Sequence, residues 1–210
     1  MLENQSTGKA NKDYQKASLF LKGVDSDWNS LVTRVGKCNI KISSDLLPWQ
    51  SMIKSIIFQQ LSPAAAGSIY KQFLFFFGNK FPNSYLLLNS DRMEIKACGL
   101  SLNKLNTIIK ISEMAHTGYF PNREELQRMT EEEIINKLIN IKGVGEWTIK
   151  MLMIYNLGFM NIMPSSDLAV KNNYQKLKKT KKPLTTKELS LIAEDWHPYK
   201  SIAAWYLWQL

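Results

Sequence analysis

The chain has 210 residues, 45% hydrophobic and 21% charged, with 27 Lys and Arg against 18 Asp and Glu for a net charge of +9. That size and composition allow one domain, or two closely packed subdomains, with a core large enough that neither metals nor disulfides are needed for stability. The basic balance points to a polyanionic partner, nucleic acid first, although a solvated basic surface gives the same sum.

Residues 1–13 are polar and read as a flexible tail. From residue 14 the pattern is helical almost throughout. Leu19, Trp28, Leu31, Val32 and Val35 fall at three- and four-residue spacings. Pro48 then opens a run with Met52, Ile53, Ile56 and Ile57 on one face; proline suits the first helical position because that N–H is unpaired anyway. Ser62 and Pro63 read as an N-cap followed by such a proline, and Ser101 caps a long amphipathic run carrying Leu105, Ile108, Ile109, Ile111 and Met114. Thr130 with Glu133, and Thr185 with Glu188, are capping boxes. Gly99 and Gly158 stand where helices should stop. No alternating strand pattern is visible, so the expected class is all-α, with about ten helices of ordinary length. Lys176, Lys178, Lys179, Lys181 and Lys182 read as a loop that either steers DNA or is a solvated turn.

Two cysteines, Cys38 and Cys98, form no Cys-x-x-Cys pair and are too few for a four-cysteine iron–sulfur or zinc site. A reducing, cytoplasmic setting is the simplest expectation. The opening residues lack the apolar core of a secretory signal. No run approaches the roughly 20 apolar residues that span a bilayer, so no membrane partner is expected.

The most informative stretch is Lys142, Gly143, Val144 and Gly145, followed by Glu146, Trp147 and Thr148. A helix from the Thr130 box precedes it and a second helix runs on to about Gly158, making a helical hairpin over residues 130–158. Two glycines around one apolar residue allow a tight reversal with positive φ and a close backbone approach to a ligand. The first N–H groups of the second helix then form an anion site suited to a DNA phosphate. On its own, Gly-x-Gly is also an ordinary helix–helix turn. Asp167, twenty residues after Trp147 in the segment Pro164, Ser165, Ser166, Asp167, Leu168, stands before an apolar run. It reads either as an N-cap or as a reactive carboxylate.

With these features in order, the chain resembles the helix-hairpin-helix (HhH-GPD) DNA glycosylases of the 3-methyladenine DNA glycosylase II type. Further matching blocks are Pro48 and Trp49 through Phe58, Gln59, Gln60, Leu61 and Ser62; Gly99, Leu100, Ser101 and Lys104; and Trp196 to Ser201 with Trp205 to Trp208. The resemblance implies an all-α fold with two helical subdomains flanking an active-site cleft; some relatives add an N-terminal β domain, and the lack of a strand pattern in the first 47 residues predicts the form without it. Residues 14–210 form one glycosylase domain, in which 48–163 make one subdomain and 14–47 with 164–210 the other. It implies hydrolysis of the N-glycosidic bond of alkylated bases in double-stranded DNA by base flipping, initiating base excision repair, with Asp167 as the catalytic residue. A carboxylate beside C1′ stabilises developing oxocarbenium charge and orients or deprotonates water. Bifunctional relatives place a Schiff-base lysine where this chain has Trp147, so base release without strand cleavage is implied.

By the same resemblance Trp208 stacks on the extruded base, Trp147, Met151 and Phe58 line the base pocket, and Gln60 with Leu61 forms the wedge that fills the vacated stack. Trp49 and Tyr155 are weaker pocket candidates. No organic cofactor or iron–sulfur cluster is implied, but hairpin carbonyls of Ile141 and Val144 can bind a sodium or potassium ion. The expected form is a monomer, cytoplasmic and nucleoid-associated, or nuclear in a eukaryote. The alternatives are a glycosylase for another lesion or mismatched base, and a non-catalytic DNA-binding protein that keeps the hairpin.

Overall fold

A computed structural model describes the backbone of residues 3–210 and the side chains from residue 12 onward. Among the described residues the chain is helical, without a strand. In chain order the helices are α1 (Glu3–Lys22), α2 (Ser26–Val35), α3 (Pro48–Phe58), α4 (Pro63–Phe76) and α5 (Ser84–Asn89). Then come α6 (Arg92–Ala97), α7 (Leu102–His116), α8 (Arg123–Gln127), α9 (Glu131–Leu138) and α10 (Glu146–Leu152). After a π-helical turn at Met153–Leu157, the last three are α11 (Leu168–Leu177), α12 (Thr186–Ile192) and α13 (Lys200–Trp208). The described backbone is helical from Glu3, where the sequence reading placed a tail to residue 13.

The starts follow the capping chemistry written in the sequence. Ser62 and Ser101 accept the N–H groups of Ala65 and Lys104, and the Thr130 and Thr185 boxes close on Glu133 and Glu188. Asn83, Asp91 and Asn122 cap the short helices α5, α6 and α8 in the same way, which raises the count above the ten expected.

The chain divides into two compact units, Met1–Lys41 with Phe159–Leu210, and Ile42–Gly158. The sequence reading drew the middle unit from 48 to 163; hydrogen bonds explain both differences. Ser43 N–H donates to the Tyr155 carbonyl (2.8 Å), and Asn156 Nδ2 donates to the carbonyls of Ser43 (2.8 Å) and Leu46 (2.9 Å). The Arg123 guanidinium adds bonds to the Leu46 carbonyl (2.8 Å) and the Asn156 carbonyl. Residues 42–46 are therefore held in the middle unit by its π-helical turn, although they precede its first helix. At the other boundary, Ser201 Oγ donates to the Phe159 carbonyl (2.6 Å) and accepts from Ile162 N–H (2.9 Å), which places 159–162 with α13.

Each unit has its own core. In the middle unit α3 buries Met52, Ile53, Ile56 and Ile57, with Ile108 and Ile111 from α7 and Ile149 and Leu152 from α10. In the other, Trp28 meets Trp196 edge-on at 5.0 Å between centroids, and the buried Tyr206 donates to the Gly36 carbonyl (2.8 Å).

Candidate functional site

The hairpin lies in the middle unit. After α9 the chain reverses through residues 139–145 and enters α10 at Glu146. Gly143 has φ +89°, and a Cβ built there would lie 2.0 Å from Thr107 Oγ1, so only glycine fits. Gly145 is the N-cap of α10 at φ −106°, with no side-chain cap hydrogen bond, and a Cβ built there would meet nothing within 4 Å. Lys142, Gly143 and Gly145 are exposed while Ile141 and Val144 are buried. The turn thus anchors on two apolar side chains and shows solvent its backbone, one lysine and the positive end of a helix, an arrangement that can hold an anion.

Thr148 departs from its expected place on the DNA-facing side. It is buried, its N–H goes to the Gly145 carbonyl (3.0 Å), and its Oγ1 bonds Gln59 Nε2 (2.7 Å). The sequence places Gln59 only in the glutamine-rich turn, where its alternative use is to cap an adjacent helix; the structure gives its side chain to the hairpin. Its Nε2 also donates to the Gly143 carbonyl (3.2 Å), and the Thr107 hydroxyl shares its one proton between the carbonyls of Asn103 (2.9 Å) and Lys142 (3.1 Å). The hairpin is braced from α7 and from the end of α3.

Around it, Trp147 is half-buried in the first turn of α10, and Met151 is buried one turn on. Phe58 is half-buried in the last turn of α3 and packs edge-on against Tyr70 at 6.2 Å. Trp49, one of the weaker pocket candidates, is buried against Phe81 and serves the core; Tyr155 is half-buried in the π-helical turn. Gln60 and Leu61 are exposed, and Gln60 has φ +55°. Lys150, the nearest lysine to the Trp147 position, pairs with Glu146 (2.7 Å) and Glu131 (3.4 Å).

Asp167 and Trp208 belong to the other unit, and the structure brings them together. Asp167 is half-buried and N-caps α11: its Oδ1 accepts Val170 N–H at 2.9 Å. Trp208, 41 residues later in the last turn of α13, donates its indole N–H to the same oxygen at 3.4 Å. Capping and chemistry are thus compatible in one side chain. The cap fixes the carboxylate at a helix N-terminus, where the backbone dipoles favour negative charge, and the indole lies directly beside it. The preceding residue but one, Ser165, is buried and accepts from Ser190 Oγ of α12 (2.7 Å), which steadies the loop leading to Asp167.

Lys178, Lys179, Lys181 and Lys182 lie in the loop after α11, as expected, with Lys176 in the last turn of that helix, and three of the five have partners. Lys178 is the C-cap residue of α11 and pairs with Asp25 (2.5 Å) and Asp27 (3.1 Å) at the start of α2. Burial pulls its ammonium down, but the two aspartates outweigh that and leave it above the ordinary lysine value. Lys182 pairs with Glu188 (2.9 Å) and Lys176 bonds Asn173 Oδ1 (3.0 Å).

Residues 53–198 match the HhH-GPD superfamily of base excision DNA repair proteins. The chain belongs to that superfamily, alongside its 3-methyladenine DNA glycosylases. It is 34% identical over 200 residues to the alkylbase DNA glycosidase-like protein mag2 of Schizosaccharomyces pombe, covering 94% of each chain. With DNA-3-methyladenine glycosylase 1 of the same yeast it shares 34% identity over 196 residues, 92% of this chain and 86% of that protein. The structure of the latter enzyme, Mag1, in complex with abasic DNA superposes with a TM-score of 0.87, covering 92% of this chain and 95% of that one. The all-α glycosylase fold expected from the sequence is the fold found.

Proposed function

We propose that this glycosylase releases alkylated bases of the 3-methyladenine type from double-stranded DNA, that Asp167 is its catalytic carboxylate, and that it does not cleave the strand. The observation that carries the reading is the Asp167–Trp208 pair. A carboxylate fixed by a helix start beside an indole matches the needs of a cationic base leaving a sugar that turns cationic.

An alkylated purine already carries positive charge and leaves with the electron pair of the glycosidic bond. Positive charge then develops at C1′, where the Asp167 carboxylate stabilises it. Water adds to C1′ and gives its proton to the carboxylate or to solvent, leaving an abasic sugar and the free base. The face of Trp208, beside the carboxylate, attracts the cationic base; such a contact is worth about 0.5–2 kcal/mol when desolvated. The hairpin of Lys142, Gly143 and Gly145 grips a neighbouring phosphate without reading sequence, and Gln60 with Leu61 occupies the gap left by the everted nucleotide.

The carbonyls of Ile141 and Val144 would hold a sodium or potassium ion under that phosphate. The Ile141 oxygen already accepts Val144 N–H (2.9 Å) and keeps a second lone pair, and neutral oxygen donors suit a monovalent ion. Such an ion would add positive charge to the phosphate site. The protein works as a monomer on nucleoid or nuclear DNA.

The test is base release from methylated duplex DNA by wild type and Asp167→Asn. Release by the wild type alone, with both proteins binding DNA, is the expected result. Equal release by both would remove Asp167 from the mechanism, and no release by either from methylated DNA would remove the substrate class.

A further inference from the structure

We infer that Gln59 and Lys104 are positioning residues that join the wedge turn to the phosphate hairpin, so that seating the hairpin on the backbone sets the wedge at its working depth. The inference rests on the reading of Gln60 and Leu61 as the wedge.

The turn itself is costly. Gln60 is held at φ +55°, a region that disfavours an L side chain by about 1–2 kcal/mol. It also follows a helix end, where the last carbonyls have no partner within the helix. Lys104 supplies one: its Nζ donates to the carbonyls of Ile57 (2.9 Å) and Gln59 (2.8 Å). Desolvation of that ammonium pulls its pKa below the ordinary lysine value, the mark of a side chain committed to a partly buried job.

The Gln59 side chain then leaves the turn and bonds the hairpin. Its Nε2 reaches the Gly143 carbonyl (3.2 Å) and Thr148 Oγ1 (2.7 Å). The amide orientation is fixed, because a backbone carbonyl can only accept. Three residues after Lys104, on the same face of α7, Thr107 Oγ1 holds the Lys142 carbonyl (3.1 Å). One turn of α7 thus supports both functional turns, and Gln59 ties them to each other. None of these side chains needs to touch a base; they act through Gln60, Leu61 and the hairpin backbone.

The test compares affinity for a duplex carrying a tetrahydrofuran abasic analogue with affinity for the same duplex undamaged. Gln59→Met keeps the length of the side chain and loses both donor bonds. It should weaken binding to the abasic analogue about tenfold, the worth of one or two neutral hydrogen bonds, and binding to undamaged duplex less than about twofold. Thr148→Val should weaken it in the same way, and the double variant should lose less than the product of the two. Lys104→Met should behave like Gln59→Met, while Lys104→Arg, which can still donate to both carbonyls, should retain affinity. If Gln60→Ala and Leu61→Ala weaken abasic-analogue binding but Gln59→Met and Lys104→Met do not, the coupling is absent. If the Gln59 and Lys104 variants weaken both duplexes equally, in step with thermal stability, the brace is only part of the fold. If Gln60→Ala and Leu61→Ala change nothing, the wedge reading fails and the inference falls with it.

Discussion

Replacing Gly143 by alanine puts a methyl group where the hairpin has no room. The new Cβ would sit 2.0 Å from Thr107 Oγ1, 3.1 Å from its Cβ and 3.2 Å from its Cγ2. Two penalties follow. An L residue at φ +89° costs about 1–2 kcal/mol. Moving Thr107 or the turn to relieve the overlap breaks the Thr107–Lys142 hydrogen bond, worth at most about 1 kcal/mol because the Asn103 carbonyl shares its proton. Together Gly143→Ala should lose about 2–3 kcal/mol of stability, read as a lowered urea midpoint. The exposed hairpin backbone proposed to grip a phosphate must shift with the turn, so affinity for undamaged duplex should fall as well. Gly145→Ala, at a negative φ with nothing within 4 Å, should lose less than about 1 kcal/mol, the difference between glycine and alanine at an N-cap. Adding Thr107→Ala to Gly143→Ala should recover part of the loss, because it removes Oγ1 and Cγ2 and leaves the 3.1 Å Cβ approach, the lost bond to Lys142 and the backbone strain. Equal urea midpoints for Gly143→Ala and Gly145→Ala, or no recovery in the double variant, would refute the packing argument.

Asp167→Asn keeps an equally good N-cap, so its stability should stay within about 0.5 kcal/mol of wild type while single-turnover base release falls by about 10²–10⁴. Trp208→Phe keeps a ring but removes the indole N–H that reaches Asp167 Oδ1; base release should drop more than substrate affinity, which a kcat-against-KM comparison reads. Lys178→Met should cost about 1 kcal/mol or less, since the partners are partly exposed. The pH dependence has a definite sign. Asp25 is pushed up by burial but drawn further down by hydrogen bonds from Lys178 and the α2 backbone, so its contribution is lost as pH falls through its lowered value. Lys178 lies above its ordinary value, so its contribution is lost only as pH rises through that raised value. Urea midpoints of wild type and Lys178→Met should therefore differ most near neutrality and converge in acid, once pH falls below the lowered Asp25 value. A difference that grows in acid would contradict the clamp.

What was legible in the sequence was local. The boxes at Thr130 and Thr185 and the caps at Ser62 and Ser101 each involve residues three apart, and each appears where expected. Asn83, Asp91 and Asn122 carry the same signal, but the helices they start have five or six residues, too few to show a 3.6-residue pattern. The catalytic candidate was legible only through its neighbours in order; alone, Asp167 reads as the cap it also is. The partners that organise the site were not legible at all. Gln59 finds Thr148 89 residues away, Thr107 finds Lys142 at 35, and Lys178 finds Asp25 at 153. Nothing in residue type announces a hydrogen bond over such a separation, so neither the inward turn of Thr148 nor the pairing of Lys178 with Asp25 can be read from spacing.

The proposed lack of strand cleavage turns on one lysine. A Schiff base needs an amine with a free lone pair at C1′, and the hairpin position that would carry it is Trp147. Lys150 is the nearest substitute in sequence, and its side chain is only 11% exposed. Its ammonium lies between Glu146, at the start of α10, and Glu131, at the start of α9. It acts as a strut between the two helices of the hairpin, within their own unit. Borohydride added to the enzyme on abasic duplex DNA should therefore trap no covalent complex. Lys150→Met should lower stability by about 0.5–1 kcal/mol, because the pair is partly solvent-screened, and should leave the single-turnover rate of base release unchanged. A trapped complex that disappears in Lys150→Met would make this lysine a nucleophile and overturn the assignment.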